Sequence, residues 1–252
     1  FEEPDPSSYR EAMSKWSAAE HAAYTAARTF LKENPPRCST TPLTQEEREL
    51  IEEQGVAAWK FEDMQEAAAR TTTPLLLQTN MPIPHDRHIC YFEVKLAEKP
   101  ATTEVGIGIA TRPYPDWRMP GFHKVSAGYL ANEGLLHVNN PFEGRQYGGA
   151  FFEGDVVGIC INTRVGGVLF TRNGVQQEAA STGMAFDLYP VVAANGPCTL
   201  EVNFGQSGFV FLEANIHRWG FAAVVESAAQ APPAYGSERG SILLETAPSQ
   251  RS

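Results

Sequence analysis

The spacing of apolar residues along the chain changes from a helical period to a strand period near residue 74. Over residues 7–33 the apolar residues recur at intervals of three or four, which places them on one face of a predicted helix. Ser7 or Ser8 is expected to cap this helix, and Asn34-Pro35-Pro36 ends it because proline cannot continue the hydrogen-bond ladder. The apolar stripe is typical of a helix that docks onto a core.

A second helix is predicted to begin after Thr44. Thr44 and Glu47 have the spacing of a capping box, and Gly55 is a suitable C-terminal stop. We expect residues 56–61 to be extended and to lead into a sheet, with one short helical stretch at residues 64–70. The N-terminal region is therefore predicted to be helical.

From residue 74 onward the pattern predicts many short strands separated by turn residues, including Asn173-Gly174, the strongest of the hairpin signals. Such strands, with almost no helix between them, indicate an antiparallel sandwich or barrel and a mainly β fold. The predicted strands are Leu75–Thr79, Ile89–Leu96, Glu104–Ala110, Ala127–Leu130, Leu135–Val138, Val156–Asn162, Gly167–Arg172, Leu188–Ala194, Thr199–Asn203 and Phe209–Phe211.

The predicted organisation has three parts. Residues 1–63 form a helical extension that packs on the sandwich, residues 64–219 form the β-sandwich domain, and residues 220–252 form a tail. The tail is rich in Ala, Ser, Pro and Glu, and its one apolar island is Ile242-Leu243-Leu244. This composition predicts a tail that is flexible or draped along the domain.

Composition excludes some partners and disfavours most catalytic classes. The formal net charge of −10 argues against nucleic acid as the main partner, because phosphate binding requires a basic surface. The spacing of the histidines and cysteines matches no metal motif, and His85–His88 is predicted to be a polar loop. Glu153 and Asp155 fit a solvated turn better than a glycosidase pair. We therefore expect no enzyme activity, no cofactor, no metal and no small-molecule substrate.

Six phrases in a fixed order carry a family resemblance. They are Tyr91–Lys95, Val105–Ala110, Gly154–Gly158, Leu169–Gly174, Leu188–Val192 and Val202–Gln206. This series resembles a SPRY domain of the Ran-binding protein M branch over roughly residues 75–215. The resemblance implies an antiparallel SPRY β-sandwich that binds proteins through its loops.

A second set of phrases is similar to one fungal SPRY subfamily. It consists of Gly55–Glu62, Gln78–Pro84, Thr111–Pro115, Pro120–Lys124, Glu213–Asn215 and Ala231–Glu245. That subfamily comprises membrane adaptors of a WW-domain HECT ubiquitin ligase. The resemblance implies membrane-protein cargo such as transporters, and a place on the cytosolic face of the endosome or vacuole membrane. It also implies sorting into the multivesicular-body pathway and a membrane anchor outside this chain, which begins at Phe1. Lys60 departs from the acidic residue expected there, and the stretch between Trp59 and Gln78 is shorter than expected.

The tail contains a Pro-Pro-x-Tyr motif, whose Pro232, Pro233 and Tyr235 are the predicted WW-domain ligands. Two prolines favour the polyproline II helix, which loses little entropy on docking to an aromatic groove. Pro232 and Tyr235 lie three residues apart, so a helix with three residues per turn places them on the same side. An inert proline-rich tail is the alternative.

Two loops are the candidate cargo-binding surface because Tyr, Trp and Arg predominate in interaction hot spots. The first spans Arg112–His123 and the second Asn139–Tyr147. Their candidate residues are Arg112, Tyr114, Trp117, Arg118, Phe122, His123, Asn140, Phe142, Arg145 and Tyr147. The alternative is that the aromatic residues pack against the end of the sandwich.

Two further functions stay open from the sequence. One is a scaffold or substrate receptor of a multi-subunit RING-type ligase, which the absence of a helical module after the sandwich disfavours. The other is a lectin-like carbohydrate-binding sandwich, which the lack of clustered Asp and Asn residues for calcium disfavours.

Overall fold

The computed structural model describes residues 4–36, 43–61 and 74–225. In these ranges the chain forms two antiparallel sheets that pack face to face around one apolar core. The strands are β1 Leu75–Gln78, β2 Ile89–Glu98, β3 Val105–Thr111, β4 Ser126–Leu130, β5 Leu135–Val138, β6 Arg145–Gln146, β7 Val156–Asn162, β8 Gly167–Arg172, β9 Val175–Ser181, β10 Leu188–Ala194 and β11 Thr199–Asn203. One sheet has the order β1-β10-β3-β4-β5-β6, and the other has the order β11-β2-β7-β8-β9.

The predicted β-sandwich is confirmed, and so are all the predicted strands except the last, within a residue or two at each end. The Asn173-Gly174 hairpin is also confirmed, because both residues have positive φ and the turn joins β8 to β9. Strands β6 and β9 were missed. In β9 nearly every side chain is exposed or half-buried, so the strand carries no alternation of apolar and polar residues that a sequence pattern could detect.

The predicted strand Phe209–Phe211 was wrong. Its backbone is satisfied by side chains instead of a neighbouring strand. The buried carboxylate of Glu93 accepts hydrogen bonds from the N–H groups of Val210 and Phe211, each at 3.0 Å. Asn215 accepts from the N–H of Phe209 and donates to its carbonyl, both at 2.8 Å. Four hydrogen bonds with two side chains, Glu93 and Asn215, thus replace pairing with a neighbouring strand.

The single helix predicted for residues 7–33 was also wrong. The region forms a 3₁₀ turn at Pro6–Tyr9 followed by helices α1 (Arg10–Ser14) and α2 (Ala18–Glu33). Asp5, and neither of the predicted serines, caps the first turn. The break falls at Ser17, which accepts a hydrogen bond from Glu20 N–H while Glu20 accepts one from Ser17 N–H, a reciprocal capping box.

The second predicted helix is confirmed as α3 (Gln45–Gln54), with the Thr44 capping box and Gly55 at φ 57°. The following residues are not all extended, because Val56–Ala58 forms a 3₁₀ turn. The helical stretch predicted for residues 64–70 lies outside the described residues. A last short helix, α4 (Leu212–Ile216), follows the loop that Glu93 caps.

The apolar core extends beyond residues 64–219 at both ends. Trp59 is buried, donates its indole N–H to the Pro82 carbonyl at 3.0 Å, and contacts the ring of Phe221 at 5.5 Å between centroids. Phe221 is 2% exposed and also packs on Phe92 and Phe204. The segment around Val56 and the segment that follows Phe221 therefore complete the core together.

Candidate functional site

The Arg112–His123 loop packs directly against the backbone of β3 and β4. Pro120 lies over the outer face of β3 and β4, where Gly106, Gly108 and Gly128 present no side chains. A Cβ atom added to Gly106 would lie 2.8 Å from Pro120 Cδ, and one added to Gly128 would lie 2.2 Å from the Pro120 carbonyl oxygen. The glycines of β3 therefore allow the close approach of another backbone segment.

Hydrogen bonds inside this loop fix its shape. The buried Tyr114 hydroxyl donates to the Met119 carbonyl at 2.7 Å and accepts from the His123 N–H at 3.1 Å. Burial raises the pKa of Tyr114 to about 12, so its hydroxyl keeps its proton. Arg118 donates to Nδ1 of His123 at 3.3 Å, and both side chains are buried. Tyr114, Arg118 and His123 are therefore the frame of the loop, not its exposed surface.

Arg112 anchors the loop to the neighbouring strand. Its guanidinium donates to the carbonyls of Thr79 and Asn80, at 3.3 and 3.1 Å, and lies 5.8 Å from the ring centroid of Tyr189. Its role in this structure is to hold the start of the loop beside β1.

Helix α2 lies directly against the loop. Trp117 donates its indole N–H to the Ala23 carbonyl at 3.3 Å, and its ring meets that of Phe30 edge-on at 5.8 Å. The Arg118 guanidinium stacks over Tyr24 of α2 at 5.7 Å. The N-terminal helices therefore pack on the sandwich as predicted, and they do so on the face that the sequence proposes for cargo.

The second loop is covered by the same N-terminal region. The ring of Phe142 lies between Tyr9 and Trp16, with centroid distances of 4.7 and 5.4 Å and nearly parallel planes. Asn140 turns the loop by accepting from the Phe142 N–H at 2.9 Å, and its amide reaches the Tyr9 hydroxyl at 3.5 Å. Trp16, which forms one side of this stack, lies at the break between α1 and α2.

Arg145 and Tyr147 have a different position from the other candidates. They reach across from β6 to β9 and join the two sheets along one edge, here called the closed seam. Arg145 donates to the Ala179 carbonyl at 2.8 Å, and the Tyr147 hydroxyl donates to the Glu178 carbonyl. The Tyr147 hydroxyl also accepts from the Phe170 N–H at 3.2 Å. These two side chains bind the chain's own backbone.

A cleft of about 520 Å³ remains between α2 and the loops, and it is the accessible part of this surface. Its lining includes the aromatic side chains Trp16, Tyr24, Trp117 and Phe122, the carboxylates Glu20 and Glu104, and the guanidinium of Arg118. Burial raises the pKa of Glu104, while the N–H of Asn132 holds the carboxylate in place at 2.9 Å. Because its lining combines apolar side chains with groups of both charges, such a cleft suits a peptide that has both apolar and polar side chains.

His137 supports the floor beneath Phe122. The two rings lie 4.5 Å apart, and Nδ1 of His137 donates to the Asn140 carbonyl at 2.9 Å. Burial lowers the pKa of His137, so the ring is held neutral. His137 therefore contacts both loops, through Asn140 of the second loop and Phe122 of the first.

Of the predicted cargo residues, Trp117, Arg118 and Phe122 line this cleft, whereas Arg145 and Tyr147 lie apart from it at the closed seam. Sequence reasoning did not assign Trp16, Tyr24 or Glu104 to this surface, although Trp16 belongs to the apolar stripe of residues 7–33 and Tyr24 lies beside it. The predicted WW-domain ligands Pro232, Pro233 and Tyr235 lie outside the described residues. Among the described ranges no helix is both long and apolar enough to cross a membrane, and no three His, Cys, Asp or Glu side chains are placed to share a metal ion.

A model of the SPRY domain family matches residues 89–207. The chain is 43% identical over 247 residues to Protein SSH4 from Coccidioides immitis, which aligns 94% of this chain with 50% of that protein. It is also 43% identical to Protein ssh4 from Sclerotinia sclerotiorum, covering 93% of this chain and 47% of that protein. A SPRY domain-containing protein from Schizosaccharomyces pombe is 39% identical over 208 residues, which cover 78% of this chain and 53% of that protein.

These matches confirm the SPRY resemblance that the sequence phrases predict. The chain spans about half the length of the curated relatives it matches. The region shared with them includes the N-terminal helices as well as the sandwich, since the alignments cover nearly the whole chain. The chain therefore contains a SPRY domain, a fold that serves protein interaction, and it is similar over most of its length to the fungal proteins that bear the name SSH4.

Proposed function

We propose that this chain is a non-catalytic adaptor with two binding ends. The cleft between α2 and the SPRY loops binds a membrane-protein cargo, and the Pro232-Pro233-Ala234-Tyr235 motif binds a WW domain of a HECT ubiquitin ligase. The observation that carries the proposal is the presence in one chain of a preformed, aromatic-walled cleft and a separate Pro-Pro-x-Tyr motif. The chain supplies proximity and no chemistry of its own.

The separation of the two ends supports this mechanism. The described chain ends at Val225, and the motif begins at Pro232. At about 3.3 Å per residue, the intervening chain reaches at most about 25 Å from the sandwich. A ligase bound to the motif therefore stays within that distance of the domain that holds the cargo, which raises its effective concentration at cargo lysines.

The setting that fits this function is the cytosolic face of the endosome or vacuole membrane. Cargo sorting there requires that the adaptor be held at the membrane, and we assign that role to an anchor outside this chain. The net charge of −10 supports this assignment, because an acidic domain is repelled by anionic lipid and does not dock on it by charge.

The ligase end is tested by calorimetric titration of the full chain with a WW domain of a HECT ligase. We expect micromolar binding that Tyr235→Ala abolishes, since the tyrosine fills a pocket beside the proline groove. Pro248→Ala is the matched control because it removes a proline from the same region outside the motif. Equal binding by Tyr235→Ala and the control would remove the motif from the mechanism.

The cargo end is tested by reconstituted ubiquitination of membrane proteins that co-purify with the chain. Tyr235→Ala is expected to keep cargo bound but leave it unmodified, because only the ligase end is lost. Phe122→Ala, which removes one wall of the cleft, is expected to lose both binding and modification. Cargo binding unaffected by Phe122→Ala would place the cargo site elsewhere.

A further inference from the structure

Among the described residues, the two sheets do not close on each other at the edge opposite the closed seam. A groove of about 380 Å³ runs there between β1 and β11, and we call it the open seam. Its walls come from β1, β10 and β11 and from the segments next to them: Phe61, Leu75, Leu77, Val192, Cys198, Leu200 and Val202. Most of these side chains are half-buried, so apolar surface next to the core is left accessible.

The backbone along this groove also has capacity for another strand. Both β1 and β11 are the terminal strands of their sheets. Among the described residues β11 pairs with β2 alone, which leaves the other side of its backbone open. An extended segment that added to β11 would satisfy that edge and direct alternate side chains into the groove.

We propose that the open seam receives the chain's own segment Ile242-Leu243-Leu244 by strand addition to β11, with Ile242 and Leu244 directed into the groove. These three residues are the only Ile, Leu, Val, Met or Phe residues after Val225. The chain between Val225 and Ile242 extends to at most about 55 Å. That length exceeds the size of the domain, whose radius of gyration is about 17 Å for its number of residues, so the segment reaches the groove.

Residues 62–73 are the competing occupant, because they connect Phe61 to Pro74 near the same groove. Their sequence is Glu-Asp-Met-Gln-Glu-Ala-Ala-Ala-Arg-Thr-Thr-Thr, in which Met64 is the one large apolar residue. A groove walled by Leu, Val and Phe side chains gains more from burying Ile242 and Leu244 than from burying one methionine. The tail segment is therefore the better match.

This docking gives the tail an architecture that the adaptor function alone does not require. The Pro-Pro-x-Tyr motif would lie in a loop closed at both ends, by Val225 on one side and by Ile242 on the other. A closed loop has fewer conformations than a free tail, so less entropy is lost when a partner binds it. The docking itself does not depend on the ligase, so it stands or falls separately from the proposed function.

Cys198 lines the groove and provides a native probe of its occupancy. The experiment is alkylation of the full chain with N-ethylmaleimide, followed by peptide mass spectrometry to obtain the rate at Cys198. We expect the double variant Ile242→Asp, Leu244→Asp to raise that rate about tenfold. A tenfold change corresponds to a tail segment that is docked about nine-tenths of the time, when its effective concentration at the groove is about 1 mM. Leu243→Asp is the matched control and is expected to change the rate less than about twofold, because its side chain would face away from the groove.

Cys90 and Cys160 verify that the variants fold, because both are buried in the sandwich and stay unreactive while it is intact. An unchanged Cys198 rate in the double variant overturns the proposal. So does an equal effect of Leu243→Asp, which is incompatible with strand addition. A rate that rises with Met64→Asp instead identifies residues 62–73 as the occupant, and protection that depends on protein concentration identifies a second copy of the chain.

Discussion

The closed seam and the open seam are opposite edges of the same two sheets, and they differ in how their polar and apolar groups are satisfied. At the closed seam, Arg145 and Tyr147 donate to backbone carbonyls of β9, so polar groups hold the sheets together. At the open seam, Leu200 and Val202 of β11 face Leu75 and Leu77 of β1 across a groove. A seam that satisfies its own backbone is structural, whereas a seam that leaves apolar side chains and a strand edge accessible is suited to bind something.

The comparison of the two seams also separates residues that the sequence analysis grouped together as candidate cargo-binding residues. Arg145 and Tyr147 have the residue types of a binding hot spot, and they belong to the closed seam. Phe122 and Trp117 have the same character and line an accessible cleft beside α2. Residue type alone does not separate the two cases, because Arg and Tyr serve backbone carbonyls and partner proteins with the same hydrogen bonds.

The largest expected effect on stability comes from opening the closed seam. Tyr147→Ala removes a ring that packs edge-on against Tyr129 and Phe170, together with the hydrogen bonds of its hydroxyl. We expect the free energy of unfolding to fall by about 3 kcal/mol. Urea denaturation measures it, and Tyr147→Phe, which keeps the ring, should lose only about 1 kcal/mol. Equal losses for the two variants would show that the ring contributes nothing.

The next effect concerns Asp155, which holds the same end of the sandwich. Arg172 bridges from the Gly148 carbonyl after β6 to the Asp155 carboxylate, at 3.3 and 3.1 Å. Burial acts to raise the pKa of Asp155, but hydrogen bonds from Asn173 and Phe152 and the Arg172 charge outweigh it, so the pKa lies below its usual value.

Since the folded-state pKa of Asp155 is below the unfolded value of 3.8, its stabilisation is present above about pH 4 and is lost as the pH falls through the folded-state pKa. Asp155→Asn should lower the free energy of unfolding by about 1–2 kcal/mol at pH 7 and should flatten the acid limb of the stability curve. Unfolding measured at pH 7 and from pH 5 down to pH 2 checks both parts. An acid limb as steep as in the wild type would assign it to other carboxylates.

At the open seam the expected effect is smaller and depends on the tail. Leu200→Ala should cost about 1 kcal/mol in the full chain, because the side chain is only half-buried. In the Ile242→Asp, Leu244→Asp background the cost should fall, which gives a coupling energy of at least about 0.5 kcal/mol in a double-mutant cycle. Perfect additivity of the three substitutions would mean that Leu200 and the tail do not meet.

The smallest effect is expected for Arg145→Ala. The guanidinium is partly exposed, its ion pair with Glu178 is loose at 3.8 Å, and water replaces its bond to Ala179 readily. The loss should be about 0.5 kcal/mol, near the value of a surface ion pair. A decrease in the free energy of unfolding as large as that of Tyr147→Ala would mean that Arg145 is the main stabilising residue of the closed seam.

Much of this molecule was predictable because it depends on local patterns. The strands from β1 to β5 carry enough apolar residues to be detected, and the Asn173-Gly174 turn needs only two residues that tolerate positive φ. The capping box of α3 is likewise complete within four residues. The capping box at Ser17 has the same form and marks the start of α2. It was overlooked because the apolar stripe continues on both sides of Ser17 and suggests one uninterrupted helix.

The amino-acid sequence by itself determined the β-sandwich, the order of its strands along the chain, the SPRY resemblance and the types of residue in the two loops. Only the tertiary structure decided that Phe209–Phe211 is capped by Glu93, that α2 lies across the loops, and that one seam is closed while the other is open. The physical reason is distance along the chain. Period and capping act over a few residues, whereas Glu93 with Phe211, Ala23 with Trp117, and Arg145 with Ala179 become neighbours only after the chain has packed.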